Sequence, residues 1–445
     1  MQYSHFNASI IAANRFGYGA KSTDNVKQNI DAKAWLKSGL IAPDFDNSLP
    51  TSISLRQQLY EYQQQRKKAK KQGKELSKEQ KSFPRQTYIR FIDDSFTQVV
   101  NADHTIQWRL LDFFSNHFSV TAQSNVLNVL APTLEREAIA PNLFGNFEDL
   151  LVAVVKHPAM LLYLNNERSF GPNSKMGKRG KGLNENLARE ILELHTLGVN
   201  GGYTQQDVIE LAKGITGWSI AYPAKEPDKG FVFREKGHEP GSRKLLSRTY
   251  KKGGVEQGEL MLKDIAQHAS TRHFICKKLA SHFVSDNPPK SLLDKLEVTW
   301  QKTNGNIKQV MTTLIDAEES WSASLQKYKT PRDFVLSSMR LLPNNKYKGR
   351  QVQQVLKQLG QAPFKAGSPA GFADTEADWM GANAVMTRID LAMNVASRFK
   401  ANAEQLLATA LSNTVSELTY LSVVRAESRK QATAMLLLSP EFQRR

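Results

Sequence analysis

Almost every stretch of this chain with regularly spaced apolar residues repeats at the helical period, which leaves little room for a sheet-based fold. In 105–118, Ile106, Leu110, Phe113, Phe114 and His117 recur on one side. The segment 147–164 is strongly apolar, with Pro158 placed to kink it. A Ser/Thr/Asp cluster fit for an N-cap opens 22–40. The same period predicts helices at 54–71, 184–198, 204–216, 257–268, 270–284, 291–303, 306–317, 331–342, 350–359, 380–399, 415–423 and 428–438. Strand evidence is confined to 230–250, where Phe231 and Phe233 alternate and Gly and Pro turns surround His238. The expected fold is therefore mainly α, a multi-helix globular fold with a small β-hairpin element near 230–250. At 445 residues the chain reads as one unit, 1–445. A division into two subdomains is left open: an N-terminal helical region, 1–220, and a second region, 221–445, holding the β element and the C-terminal helices.

No stretch approaches the roughly 18 consecutive apolar residues of a membrane span. The first residues, MQYSHFNASIIAANRFGYG, show neither a basic region before a long apolar run nor a twin arginine, so no secretory signal is read in them. A single cysteine, Cys276, excludes an internal disulfide framework and any multi-Cys zinc site. It sits on an apolar helical face in HFICKKLASHF and is expected to be a buried, inert thiol. The formal charge of +17 is partly local, concentrated in 64–80 and in KMGKRGKG at 175–182. Such fields attract anionic glycans, acidic lipid or nucleic acid. Nucleic acid is the weakest of these, because no base-stacking aromatics are interleaved and no helix-turn-helix, zinc-finger or RNA-binding signature is present.

The densest polar chemistry lies in NENLAREILELHTLGVNGGYTQQDVIELAKGITGW, 184–218. On a regular helix Asn186, Arg189, Glu190 and Glu193 form one stripe, and His195 lies about 160° from Glu193, near the turn at Gly198. Convertible groups this dense suit a proton-transfer, metal or anion site; the alternative is an amphipathic helix laced with Arg–Glu pairs. Of the nine histidines, His117, His195 and His238 are candidate proton carriers, whereas His157 and His282 read as core residues. A metal site assembled from His117, Glu190, Glu193, His195 and His238 would suit a divalent ion, although no H-E-x-x-H signature is present. The loop before the helix carries Lys178, Arg179 and Lys181, which together with the helix N-terminus form a candidate anion site. Aromatics Tyr203, Trp218, Phe372 and Trp379 could wall a groove or close the core.

The 184–218 stretch closely resembles the signature of a bacterial family known as domain of unknown function 1800. NRFGYG, LLDFFSNHF, VVKHPAMLLYLNN, HEPGSRKLLSRT, QHASTRHFICKKLASHFVSD, KTPRDFVLSSMRLL, SPAGFADTEADW and LLLSPEFQRR resemble further family blocks in family order. The resemblance implies no established activity. It implies association with a sulfatase-like partner that carries a twin-arginine export signal, hence a two-protein system acting on a surface or secreted polymer. Periplasmic residence by co-export and cytoplasmic residence are both compatible with it. The leading expectation is a hydrolase or group transferase, metal-dependent or not, acting on an anionic or polyhydroxylated polymer. In it Glu190 or Glu193 is general base or metal ligand, Arg189 orients an anion, and His195, His117 and His238 carry protons or bind metal. The alternative is a non-enzymatic binding or maturation partner of the sulfatase-like protein.

Overall fold

The computed structural model describes residues 5–21, 31–322, 325–342, 348–399 and 402–445. Helices dominate. Among the described residues the strands form two small antiparallel pairs, Trp218–Ile220 with Phe231–Phe233 and Arg243–Leu245 with Arg248–Tyr250. The expected hairpin region thus splits. Phe231 and Phe233 pair back to residues before them, and the true hairpin is 243–250, turned by Leu246 and Ser247 at φ 47° and 69°.

Local chemistry fixes the helix ends. Asn306 caps Ile307–Asp316 by accepting from the Gln309 N–H at 3.1 Å. That helix buries Ile307, Val310, Met311, Leu314 and Ile315, an i, i+3, i+4, i+7, i+8 stripe. Each such side chain contributes about 1.5–3 kcal/mol on burial. The segment 147–164 is broken rather than kinked. Phe147–Lys156 ends at His157, whose backbone is extended (φ −66°, ψ 136°), and Pro158–Tyr163 restarts. The residue before a proline avoids the helical region, and His157 turns this to use by capping the Ala159 N–H through Nδ1 at 3.2 Å.

Segments in which the sequence shows no clear period are also helical, among them Lys78–Asn101, Asn125–Leu134 and Ala403–Ala410. The first begins in the basic run 64–80 and contains Pro84, which hide its period. A Ser77/Gln80 capping box starts it, and Tyr88, Phe91, Ile92, Phe96 and Val99 bury its far half. With Ser52–Lys71 it forms a helical pair whose exposed tip is the basic run. Of the expected helix 22–40, Ala32–Ser38 is formed, capped by Asp31, and 22–30 lies outside the described residues.

The larger core draws on residues from Ala12 to Leu359 and so spans both sides of residue 220. A smaller core gathers Phe334, Leu341, Val395, Leu406, Leu436, Phe442 and their neighbours. No helix among the described residues is long and apolar enough to cross a membrane.

Among the described residues three π-helical turns punctuate the helices, at Ala12–Phe16, Glu135–Ile139 and Ile191–His195. The 184–198 helix is therefore not regular, being α over Asn186–Glu190 and π over Ile191–His195, and ending at Gly198 with φ 85°. Such turns recur at functional sites because they re-aim side chains within a helix.

Candidate active site

A cavity of about 470 Å³ opens between helices Ile106–His117 and Ala269–Phe283, the start of helix Pro331–Leu341, and the irregular segment 361–375. That volume is typical of small-molecule sites. Helical spacing explains which side chains reach it. Phe274, Lys278 and His282 follow each other at i, i+4, i+8 on one face of their helix, and Asp112, Ser115 and Asn116 at i, i+3, i+4 on the facing one. The irregular segment is clamped across the mouth by Asn116, whose Oδ1 accepts from the Phe372 N–H at 2.7 Å while its Nδ2 donates to the Phe372 carbonyl at 2.8 Å. Gly371 makes the approach possible. Its φ is 82°, and a Cβ there would stand 2.3 Å from the Asn116 carbonyl oxygen.

Three polar groupings line this space. In the first, Glu135, at the head of a π turn, accepts from the Ser115 hydroxyl beside the Arg332–Asp112 ion pair, while the Tyr18 hydroxyl donates to Asp112 at 2.6 Å. Burial pushes the Glu135 carboxyl up to about 7, against the opposing pull of Arg332 and the Ser115 hydrogen bond.

In the second, His117 Nε2–H donates to the His195 carbonyl at 3.0 Å, which leaves Nδ1 to accept from Lys278 Nζ at 3.1 Å. Burial, then the neighbouring Lys278 and His195, holds His117 well below the ordinary imidazole range. Burial also brings Lys278 down to about 8, with Asp374 opposing. No carboxylate among the described residues lies within ion-pair distance of Lys278.

In the third, His282 Nδ1–H donates to Asp374 at 2.8 Å. Burial favours ionising neither partner. Even so His282, Lys327 and Arg445 together draw Asp374 down to about 2, whereas His282 itself stays below its ordinary value because desolvation outweighs Asp374. Behind this pair Arg445, fully buried, meets Asp333 at 2.8 Å, and Arg109 meets the same carboxylate at 3.1 Å. Asp333 also closes a capping box with Thr330.

The sequence-derived candidates fall into separate places. His117 lines the cavity, and His195 packs behind it with ring centroids 5.9 Å apart. His195 is fully buried, both ring nitrogens lack partners, and burial followed by Lys278 drives it down to about 3, so it is neutral. Glu190 and Glu193 are half-buried on another face, near Tyr163 and Tyr203. Burial and then Glu193 raise Glu190 above the usual carboxylate range. Arg189 reaches outward to Glu185 at 3.2 Å and Gln205 at 2.8 Å. His238 lies apart, donating from Nδ1 to the Thr216 carbonyl at 2.9 Å and packed on Phe233. Lys178, Arg179 and Lys181 are exposed, with Lys181 over the Phe170 ring. Asn184 Oδ1 already accepts the Asn186 N–H at the helix start. Among the described residues no three His, Cys, Asp or Glu side chains stand close enough to share a metal ion. Cys276 is buried, and its thiol is pushed up by burial.

Nothing local in the sequence marks Lys278, Glu135, His282 or Asp374 as chemistry. Glu135 belongs to a helix without a clear sequence period. His282 reads as core, and its partner Asp374 lies 92 residues away. Only the i, i+4, i+8 run of Phe274, Lys278 and His282 could have signalled a shared face.

No curated protein and no solved structure matches the chain. The family model described as protein of unknown function (DUF1800) matches residues 11–444. Both the 184–218 signature and the blocks that build the cavity fall inside that span, and the chain belongs to the DUF1800 family.

Proposed function

We propose that this protein is an enzyme of the hydrolase or group-transfer class, acting by general acid–base chemistry on the end of an anionic or polyhydroxylated polymer held in the 470 Å³ cavity. One observation carries the reading. A single cavity contains a carboxyl poised at about 7 and an amine poised at about 8, beside a neutral imidazole. Groups that change protonation near neutrality are the ones that move protons efficiently there. Glu135 would serve as acid, and the His117–Lys278 pair would accept protons. Lys277 supplies positive charge for an anionic ligand, while Arg332 is already paired with Asp112. The 184–198 helix supports this site from behind through the His195 carbonyl, while its own carboxylates Glu190 and Glu193 face elsewhere.

The test is a panel of sulfated, uronic-acid and neutral oligosaccharides, with products followed by mass spectrometry. Glu135→Gln is expected to slow turnover on the order of 10²–10⁴-fold, the usual worth of a positioned acid or base. Full activity in that folded variant, or inertness of the wild type across the panel, would refute the proposal.

A further inference from the structure

We infer that Lys278 is an imine-forming amine and that the cavity takes a ligand bearing an aldehyde or ketone, such as the open-chain reducing end of a sugar. This rests on the same cavity being the ligand site and narrows the chemistry proposed for it. Three features of the geometry point there. Lys278 lines the cavity from the middle of helix Ala269–Phe283, and its amine is hydrogen-bonded to His117, which lines the same space. Its hydrogen-bond partner is an acceptor nitrogen, His117 Nδ1 at 3.1 Å, whose tautomer is set by the bond from Nε2–H to the His195 carbonyl. It has no carboxylate in ion-pair range among the described residues, whereas nearby Lys327 is paired with both Asp286 and Asp374. A lysine kept for charge would be expected to hold a counter-ion. One left with an imidazole acceptor beside an aromatic wall, the Phe274 ring centroid 5.4 Å from Nζ, is arranged as a nucleophile.

The step balances. The neutral amine's lone pair forms the C–N bond and the carbonyl π pair moves to oxygen. His117 Nδ1 takes the proton released from nitrogen and returns it to oxygen. The carbinolamine hydroxyl then leaves as water with the remaining proton of the nitrogen, relayed through His117, and the nitrogen lone pair forms C=N. The net change is amine plus carbonyl giving imine plus water, with no oxidant or reductant.

The experiment treats the full chain with glyceraldehyde and cyanoborohydride, which delivers hydride to C=N and fixes the adduct as a secondary amine. Intact mass and peptide mapping locate it. The expected result is one fast adduct on Lys278, forming on the order of 10²-fold faster near neutral pH than on exposed lysines, because burial gives Lys278 the larger neutral fraction. Lys278→Arg, which keeps the charge, should abolish that adduct, and thermal melting checks that the variant is folded. The wild-type map decides the matter even if the variant is not. Adducts scattered over exposed lysines, with Lys278 unmodified, would overturn the inference. Oligosaccharide turnover retained in folded Lys278→Arg would overturn the imine as a step of turnover and remove Lys278 from the proton-accepting pair, leaving Glu135 and His117 to carry the acid–base reading. Fast trapping on Lys278, in a wild type inert to every oligosaccharide, would support the imine and remove only the acid–base reading.

Discussion

Glu135 should make the protein less stable as pH rises, and replacing it with Gln should remove this dependence. The side chain is 7 % exposed, and burial lifts its carboxyl from an ordinary 4.5 to about 7. Between those values the folded state holds a proton that the unfolded chain has released. The stabilising effect of that proton is complete below about pH 4.5 and is lost as pH climbs through 7. A rise from 4.5 to about 7 corresponds to about 3 kcal/mol at 1.36 kcal/mol per unit. Glu135→Gln keeps an acceptor for the Ser115 hydroxyl and a shape close to the protonated acid, and it has no charge to desolvate. Wild type and variant should therefore unfold together near pH 4.5. By about pH 8 the variant should be the more stable by about 3 kcal/mol. For 445 residues the unfolding entropy is roughly 0.9 kcal/mol/K, so the gap should appear as a Tm difference of about 3 °C in differential scanning calorimetry. The same variant is the one expected to lose turnover, and a group that costs stability while serving chemistry is the usual form of that conflict. A gap that stays constant between pH 4.5 and 8, or a less stable variant at pH 8, would show that Glu135 is not a desolvated carboxyl and would remove the acid from the proposed site.

Asp374 should behave in the opposite sense. Its carboxyl is held at about 2 by His282, Lys327 and Arg445, so its contribution is present above about pH 3.8 and is lost as pH falls through 2. Asp374→Asn should flatten the acid limb of a pH-dependent urea titration and be less stable at neutral pH, because the neutral amide still accepts from His282 but gives up the attraction of Lys327 and Arg445. Gly258→Ala should lower stability by about 1–3 kcal/mol through overpacking, since a Cβ would stand 2.7 Å from the Trp218 ring and 2.9 Å from the Gly214 carbonyl oxygen; a thermal melt checks it.

How much of this is legible in the sequence depends on whether the information is local. Periodicity and capping are local. The stripe of Ile307–Asp316, the capping box at Thr330–Asp333 and the alternation of Phe231 and Phe233 can all be read directly. Helix Lys78–Asn101 cannot, because half its length is polar and exposed and Pro84 interrupts the pattern. The pairing partner of Phe231–Phe233 lies before it across a loop, and nothing in 230–250 names it. The cavity is the extreme case. Asp112, Glu135, Lys278, Arg332 and Asp374 come from five separate segments, and their special chemistry comes from burial, which no spacing encodes. Of the histidines, His117 is a candidate from sequence and does line the cavity, whereas His282 looks the same in sequence whether it meets a carboxylate or not.

The 184–198 segment shows how a dense polar motif can bear on chemistry from outside the reacting space. Gly198 adopts a positive φ that ends the helix, and its α position lies against Phe274, where a Cβ would meet the ring at 3.0 Å. The last carbonyls of any helix lack intrahelical donors. Here the His195 carbonyl takes its hydrogen from His117 Nε2, and that bond decides which nitrogen of His117 keeps its lone pair. The lone pair at Nδ1 then meets Lys278. The π turn over Ile191–His195 buries the His195 ring fully, against Phe118, so no water competes for the carbonyl's donor. The signature therefore sets the tautomer of a cavity-lining residue from one residue behind the cavity. Its side chains Glu190, Glu193 and Arg189 take no part in that hydrogen bond, whereas the backbone at His195 supplies its acceptor.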